Sequence, residues 1–489
     1  MPYLTTTAIE QCLQFLANTY PQIVTQMALP EPSPEGRTSH AIKIAKGTGD
    51  RHGVLLIGGV HARELVNPDL LVAFALKLCQ AYSGNTGLTY GAKSYGAVDV
   101  KLIVETLDTI IFPLVNPDGR TYVQAAGGDA WWRKNRAHHA GTTCVGVDLN
   151  RNFDFLWSSG IGTSTDPCEY QIYRGPTAFS EPESRNVRHL LDTFPHVECM
   201  IDVHSFSEDF LYPWGDDENQ SSNTSMNFMN PAFDGMRGVP GDVTYKEYIP
   251  QTDWDWFVRT GKRVTDAINA VRGRTYVPKE SIGLYPTSGT SDDYAYARHF
   301  VDGSKRRVYA FTLETGREFQ PVYSEALQII DEVSAGLVEF CLACICVIED
   351  VATSAKLTDR LGELQAVRIQ LAKSKTGRAW VDALERNTPA LMRAFQANKT
   401  LRKQAAEILS EAADAVGPRA PKGGGISKEL VKRADDLAQQ LSKRDATLAK
   451  ALKPVRPQLK KLGGRTLAAG LKEIDRPVRR PASPRKSSK

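Results

Sequence analysis

The chain has 489 residues and a formal charge of only +4, with 42% hydrophobic and 8% aromatic residues. That length exceeds one ordinary core, and the apolar content excludes wholesale disorder. The small total hides an opposition: residues 1–350 carry 29 basic and 43 acidic side chains, net −14, whereas residues 351–489 carry 31 and 13, net +18. Eight cysteines in this length are too few for a disulfide scaffold.

In chain order, the first 24 residues lack a basic leader, a continuous apolar core and a small-residue cleavage site. No signal peptide is expected, and both a cytoplasmic and a non-classically exported protein fit. Ile9, Leu13, Leu16 and Ala17 recur at helical spacing and predict an amphipathic helix. AIKIAK (41–46) and GVLLIGG (53–59) predict strands around the turn GTGDRHG, and VNPDLLVAFALKLCQAY (66–82) predicts a helix. Further strands are expected in ETLDTIIFPLVN (105–116), VECMIDVHS (197–205) and RRVYAFTLE (306–314), with helices at 180–193 and 254–271. The alternation favours an α/β sandwich with a mixed or mostly parallel sheet, whose active residues belong at strand C-terminal ends. Passages 157–168 and 215–243 read as loops bordering a cleft.

LVEFCLACICVI (337–348) is too short to cross a bilayer and reads as a buried terminal helix. Its Cys341, Cys344 and Cys346 have no second CxxC pair and read as small buried hydrophobes. Beyond Glu349, segments 356–386, 390–416 and 426–452 predict two or three helices, with TPA (388–390) and VGPRAPKGGG (416–425) as breakers. RPVRRPASPRKSSK has almost nothing to bury. The expected organisation is a catalytic domain over 1–348, a basic helical extension over 349–470 and a disordered tail over 471–489.

Chemistry concentrates at three strand ends. His61 and Glu64 follow GVLLIGG and can converge on one ion if the segment turns like a helix; alone, that spacing is weak. His204 follows MIDV and supplies the third ligand of a His₂Glu zinc set, with a fourth position left for water or substrate. Glu314 ends VYAFTL, where a carboxylate can take a proton from attacking water and return it to a leaving amine.

With these residues the chain resembles the zinc carboxypeptidases of the pancreatic A/B type. The matching pieces run in order: EGR (35–37), GGVHARE (58–64), NPDG (116–119), WWRKNR (131–136), CVGVDLNRNF (144–153), YRGPTAFSEPE (173–183), DVHSFSEDFLYPWG (202–215), GLYPTSGTSDDYAYA (283–297) and FTLETG (311–316). They cover about residues 5–345. The resemblance implies an α/β/α sandwich on a mixed eight-stranded sheet and one zinc held by His61, Glu64 and His204. It further implies Glu314 as general base and Arg133 as the cation facing the oxyanion. Asn150 and Arg151 are implied to grip the substrate's terminal carboxylate, Tyr285 to close over the substrate, Asp148 to orient a zinc-binding histidine, and Arg136 to add positive charge along the cleft. Cys144 and Cys168 match the family's disulfide. Phe206 stands where the pancreatic enzymes have tyrosine, and there is no room before residue 5 for their inhibitory prodomain.

Counting without a gap from Tyr285 puts Asp292 at the base of the pocket for the terminal side chain, which favours Lys or Arg. In the competing reading the aspartates of this loop are merely polar, and Thr290, Leu211 and Thr312 shape the pocket. Substrates are expected to be peptide or protein C-termini, with cell-wall peptides as an alternative acceptor and a vestigial basic binding protein as an alternative of another class. The extension's charge suits nucleic acid, an anionic surface or the acidic catalytic domain itself. The near absence of aromatics after Trp380 counts against base stacking.

Overall fold

Val54 to Ile57 and Tyr309 to Leu313 are buried on both faces of their strands, as a sheet covered by helices on either side requires. The computed structural model describes residues 3–47, 51–345, 351, 355, 361–372, 374–416 and 425–475. They form two compact units, Met1–Ile345 and Cys346–Lys489.

In the first unit the main sheet has eight strands: β1 (Val24–Ala28), β2 (His40–Ile44), β3 (His52–Gly58), β4 (Leu107–Phe112), β5 (Val197–His204), β6 (Asp209–Tyr212), β7 (Val277–Glu280) and β8 (Tyr309–Glu314), in the spatial order β1-β2-β4-β3-β5-β8-β6-β7. The four central strands β4, β3, β5 and β8 are mutually parallel, so their C-terminal ends gather at one edge of the sheet. Register completes the alignment: Gly58 lies opposite Val203, and His204 opposite Glu314.

Helices α1 (Thr6–Thr19), α2 (Val66–Gly84), α3 (Ala97–Thr106), α4 (Pro117–Gln124), α5 (Pro182–Thr193), α6 (Gln251–Arg272), α7 (Ser291–Val301) and α8 (Tyr323–Ala343) surround this sheet. Helix α1 begins where Thr5 caps Ala8 N, and it buries Ile9, Leu13 and Leu16. Val187, Leu190 and Leu191 of α5 and Ala295 of α7 share one core with Leu55, Ile57, Ile110 and Met200 of the sheet. Among the described residues no helix is long and apolar enough to cross a membrane.

Several local expectations change. Glu105 and Thr106 end α3 instead of starting a strand, because the Gly96/Asp99 cap launches a helix that buries Val100, Leu102, Ile103 and Val104. Strands β1, β6 and β7 and helix α7 fall where no periodic signal stood out. Cys144 and Cys168 form a disulfide, and a second one joins Cys199 of β5 to Cys344. Cys344 is therefore no thiol hydrophobe, whereas Cys341 remains a buried thiol; Cys346 lies outside the described residues.

The second unit is more finely divided than its composition suggests. Its described helices include Leu361–Ala372, Lys375–Arg386, Thr388–Ala397, Lys399–Val416, Lys428–Ser442, Ala446–Leu452 and Leu467–Ile474. Pro389, expected to break a helix, sits in the first turn of one, where its missing N–H costs nothing. Ile426, Leu430, Val431, Leu462, Leu467 and Leu471 share a small core, and the last helix, Leu467–Ile474, runs four residues into the stretch 471–489 expected to be disordered. The remainder of that tail, from Arg476 on, lies outside the described residues.

Candidate active site

The chain leaving β3 turns sharply at Gly59, whose φ of +66° suits glycine, and a Cβ there would meet Pro68 at 2.9 Å. The turn delivers His61 and Glu64 to the end of β5, where His204 waits. All three side chains are buried, and one ligand atom from each lies within 4.8 Å of the others. His61 Nδ1 lies 2.8 Å from Glu64 Oε1, and His204 Nδ1 lies 3.0 Å from His61 Nδ1 and 3.2 Å from Glu64 Oε2.

The outer faces of the rings explain this arrangement. His61 Nε2 is 3.1 Å from Asp148 Oδ1, and His204 Nε2 is 3.0 Å from Asp202 Oδ2. Asp148 draws the His61 ring proton outward and turns its Nδ1 lone pair inward, and Asp202, at ion-pair distance from His204 Nε2, favours the same orientation of that ring. Two lone pairs and a carboxylate then face one another in a dry space, a donor set that fits a divalent cation. The surrounding carboxylates also make the space favourable to positive charge. Burial opposes charge on His204, yet Asp202 and Glu64 raise its pKa well above the ordinary value. Burial likewise opposes ionisation of Glu64, but His61 and His204 hold its carboxyl far below the usual range. Ser205 N and Asn67 Nδ2 donate to Glu64 Oε2 at 3.1 and 3.3 Å and fix its orientation.

Asp202 and Asn67 did not emerge from the sequence. A signal for Asp202 existed: it precedes His204 by two residues on a strand, so both point to the same face.

Asp148 joins the metal ligands to the neighbouring cation. Its Oδ2 accepts from Arg133 Nε and Nη2 at 3.1 and 3.0 Å. Burial opposes its charge, but Arg133 and then His61 drive its pKa far down. The same carboxylate caps the short turn Leu149–Arg151 by accepting from Asn150 N at 3.1 Å. Arg151 Nη1 donates to Asn150 O at 2.7 Å and its Nε to Gly162 O at 2.9 Å. Asn150 Oδ1 accepts from Ser291 N at 2.9 Å, tying this turn to the start of α7. The loop before α7 comes close enough that a Cβ on Gly289, φ +71°, would meet Arg151 O at 2.4 Å. This approach leaves the Tyr285 ring 5.9 Å from the Arg151 guanidinium, with Tyr285 itself 46% exposed.

Glu314 is buried at the end of β8, beside His204 in register, and its Oε2 has no hydrogen-bond partner. Burial pushes its carboxyl up to about 8; His204 and Arg133 act against this shift and Glu64 adds to it. Arg136 stacks its guanidinium 3.9 Å from the Tyr122 ring centre, with its Nε 3.6 Å from Glu35.

Asp292 and Asp293 are both buried, but they differ in use. Asp293 Oδ2 accepts from Gly215 N at 3.1 Å and Thr290 Oγ1 at 3.0 Å. Asp292 Oδ2 has Ser281 Oγ at 3.4 Å, and no salt bridge reaches it among the described residues. Burial raises its pKa, and the charge of Asp202 adds to the shift.

A family profile described as zinc carboxypeptidase matches residues 9–335. Carboxypeptidase B of Astacus astacus is 29% identical over 311 residues, which span 63% of this chain and 84% of that relative. Carboxypeptidase B of Helicoverpa zea is 35% identical over 222 residues, spanning 44% and 47% of the two chains. For carboxypeptidase A4 of Mus musculus the figures are 28% over 308 residues, 63% and 61%. The chain thus spans most of the first relative and about half to three-fifths of the other two. Among solved structures, bovine thrombin-activatable fibrinolysis inhibitor in complex with tick carboxypeptidase inhibitor is similar with a TM-score of 0.54 at 22% identity, covering 70% of this chain and 97% of that one. Carboxypeptidase A of Helicoverpa armigera gives 0.52 at 23%, covering 69% and 74%. At these identities the likeness to both structures is one of fold.

Proposed function

The chain belongs to the zinc carboxypeptidase family and is a zinc-dependent exopeptidase that releases a single C-terminal residue; on that premise, we propose that it prefers C-terminal lysine or arginine and divides the work of hydrolysis among the residues described above. His61, Glu64 and His204 would hold the zinc, which when bound would supply Lewis acidity to the scissile carbonyl and the attacking water. Glu314 accepts a proton from that water as its oxygen bonds to the carbonyl carbon, then delivers the proton to the nitrogen of the leaving residue as the C–N bond breaks. Its burial and unpartnered Oε2 support this role. Arg133 faces the oxyanion, and its bond to Asp148 holds it in place. Asn150 and Arg151 receive the terminal carboxylate, and Tyr285, exposed beside Arg151, closes over it. Arg136 is committed to Tyr122 and Glu35, so it contributes only positive potential.

The preference rests on one observation joined to the count from Tyr285: Asp292 is buried with no ion pair among the described residues, a state it shares with Asp293. A buried carboxylate held by neutral donors alone is costly, and a substrate ammonium or guanidinium offsets that cost where an apolar terminus does not. Several similar proteins are named carboxypeptidase B, which supports a basic preference. Others are named A4 or O, so the chemistry of Asp292 carries the choice. A time course on peptides ending in Lys, Arg, Phe and Leu, with metal stripped and zinc restored, tests both parts. Cleavage after Phe but not Lys refutes the preference; activity that survives complete chelation refutes the zinc mechanism.

For the extension, the opposed charges of −14 and +18 support electrostatic docking on an acidic surface, including that of residues 1–350. Unchanged salt dependence of kcat/KM after deletion of 351–489 refutes docking on the catalytic part.

A further inference from the structure

The helices of the extension surround a half-open space of about 390 Å³ lined almost wholly by apolar side chains. Leu371, Leu384, Phe395, Ile408, Leu437 and Leu452 reach it from six different helices. All of these but Phe395 are only half-buried, so the wall remains in contact with solvent. Its polar members are few. Trp380 Nε1 already donates to Gln458 Oε1 at 2.7 Å and Asn387 Nδ2 to Ala383 O at 2.6 Å; Arg368 is a charged residue on the wall.

Water in such a space finds few of the two to four polar partners that hold it. The volume lies within the range of about 300–1,000 Å³ typical of small-ligand cavities. We propose that this cavity binds one long-chain fatty acid, with the alkyl chain among the leucines and the carboxylate toward the basic exterior. An alkyl chain asks for no hydrogen bonds from the wall, and the wall offers few. An anionic head matches the excess of 20 basic over 12 acidic side chains among the described residues of the extension. A partner helix needs a groove running along a surface, whereas these side chains converge from six helices on one space.

The test uses the full chain titrated with cis-parinarate, a fluorescent polyene fatty acid, excited by energy transfer from tryptophan and displaced by palmitate. Trp380 lies on the cavity wall and serves as the donor. Saturable binding is expected, with affinity for saturated fatty acids rising about fourfold per added methylene until the cavity is full. Ala412→Trp, which fills the space, and Leu437→Asp, which charges its wall, are each expected to weaken binding at least tenfold while carboxypeptidase activity and helical content are retained. If one variant fails to fold, the other and the chain-length series still decide. The proposal is overturned by a wild type that does not saturate, by unchanged affinity in the folded variants, or by affinity independent of chain length. Binding to vesicles of anionic phospholipid without binding to free fatty acid also overturns it, in favour of surface adsorption.

Discussion

Replacing Asp292 with Asn keeps the side chain's size and removes its charge from a fully enclosed site. Two opposite charges at about 4 Å attract by roughly 4 kcal/mol at the effective dielectric of about 20 that suits protein sites. Breaking a buried pair by removing one partner costs about 3–5 kcal/mol. With about 1.4 kcal/mol per factor of ten, kcat/KM for peptides ending in Lys or Arg should fall between about a hundredfold and a few thousandfold, while Phe and Leu termini hold steady or improve. Stability should move the other way. Burial and the charge of Asp202 raise the folded-state pKa of Asp292, so the folded state binds its proton more tightly than the unfolded state does. That group therefore destabilises the free enzyme above its ordinary pKa, and the penalty disappears as pH falls. Asp292→Asn should then raise Tm at neutral pH while abolishing the basic preference. Peptide kinetics on the four termini, paired with calorimetry, measure both. An unchanged Lys to Phe ratio refutes the pocket assignment; a lower Tm with equal losses on all substrates assigns Asp292 to the scaffold.

Glu314→Gln is expected to keep its zinc, measured by metal analysis, while kcat drops by about 10²–10⁴; zinc loss in step with activity would make Glu314 part of the metal site. Asp202→Asn removes the carboxylate behind His204 and should weaken zinc binding by about 10–100-fold in a chelator competition, with most activity recovered at saturating zinc. Glu183 is buried next to Glu181, and burial followed by that charge pushes its carboxyl from 4.5 to about 8. Stability should therefore decline as pH rises between those two values. Glu183→Gln should flatten that decline in Tm against pH, and a parallel curve would show that Asn135, which donates to both carboxylates, already compensates the charge.

His61, Glu64, His204 and Glu314 were legible in the sequence because each follows an apolar run, and parallel strands deliver their C-terminal residues to one edge. The division near residue 345 showed as a change of charge and of periodicity. Strands β6 and β7 were not legible, since four-residue segments carry too short a period to separate from loop. Asp202 was overlooked because a carboxylate inside an apolar strand acquires meaning only when His204 Nε2 is found beside it. Nor does sequence distinguish Asp292 from Asp293: adjacent residues of one composition, they separate only when the fold gives Gly215 N and Thr290 to Asp293 and Ser281 to Asp292. Cys344 likewise met Cys199 across 145 residues, a pairing that no local pattern encodes. The sequence by itself determined which residue types stand at which strand ends, because those follow from short-range periodicity. Only the tertiary structure decided which carboxylate lies behind the metal-binding histidines and which serves the backbone, because burial and hydrogen-bond partners are set by segments far apart in the chain.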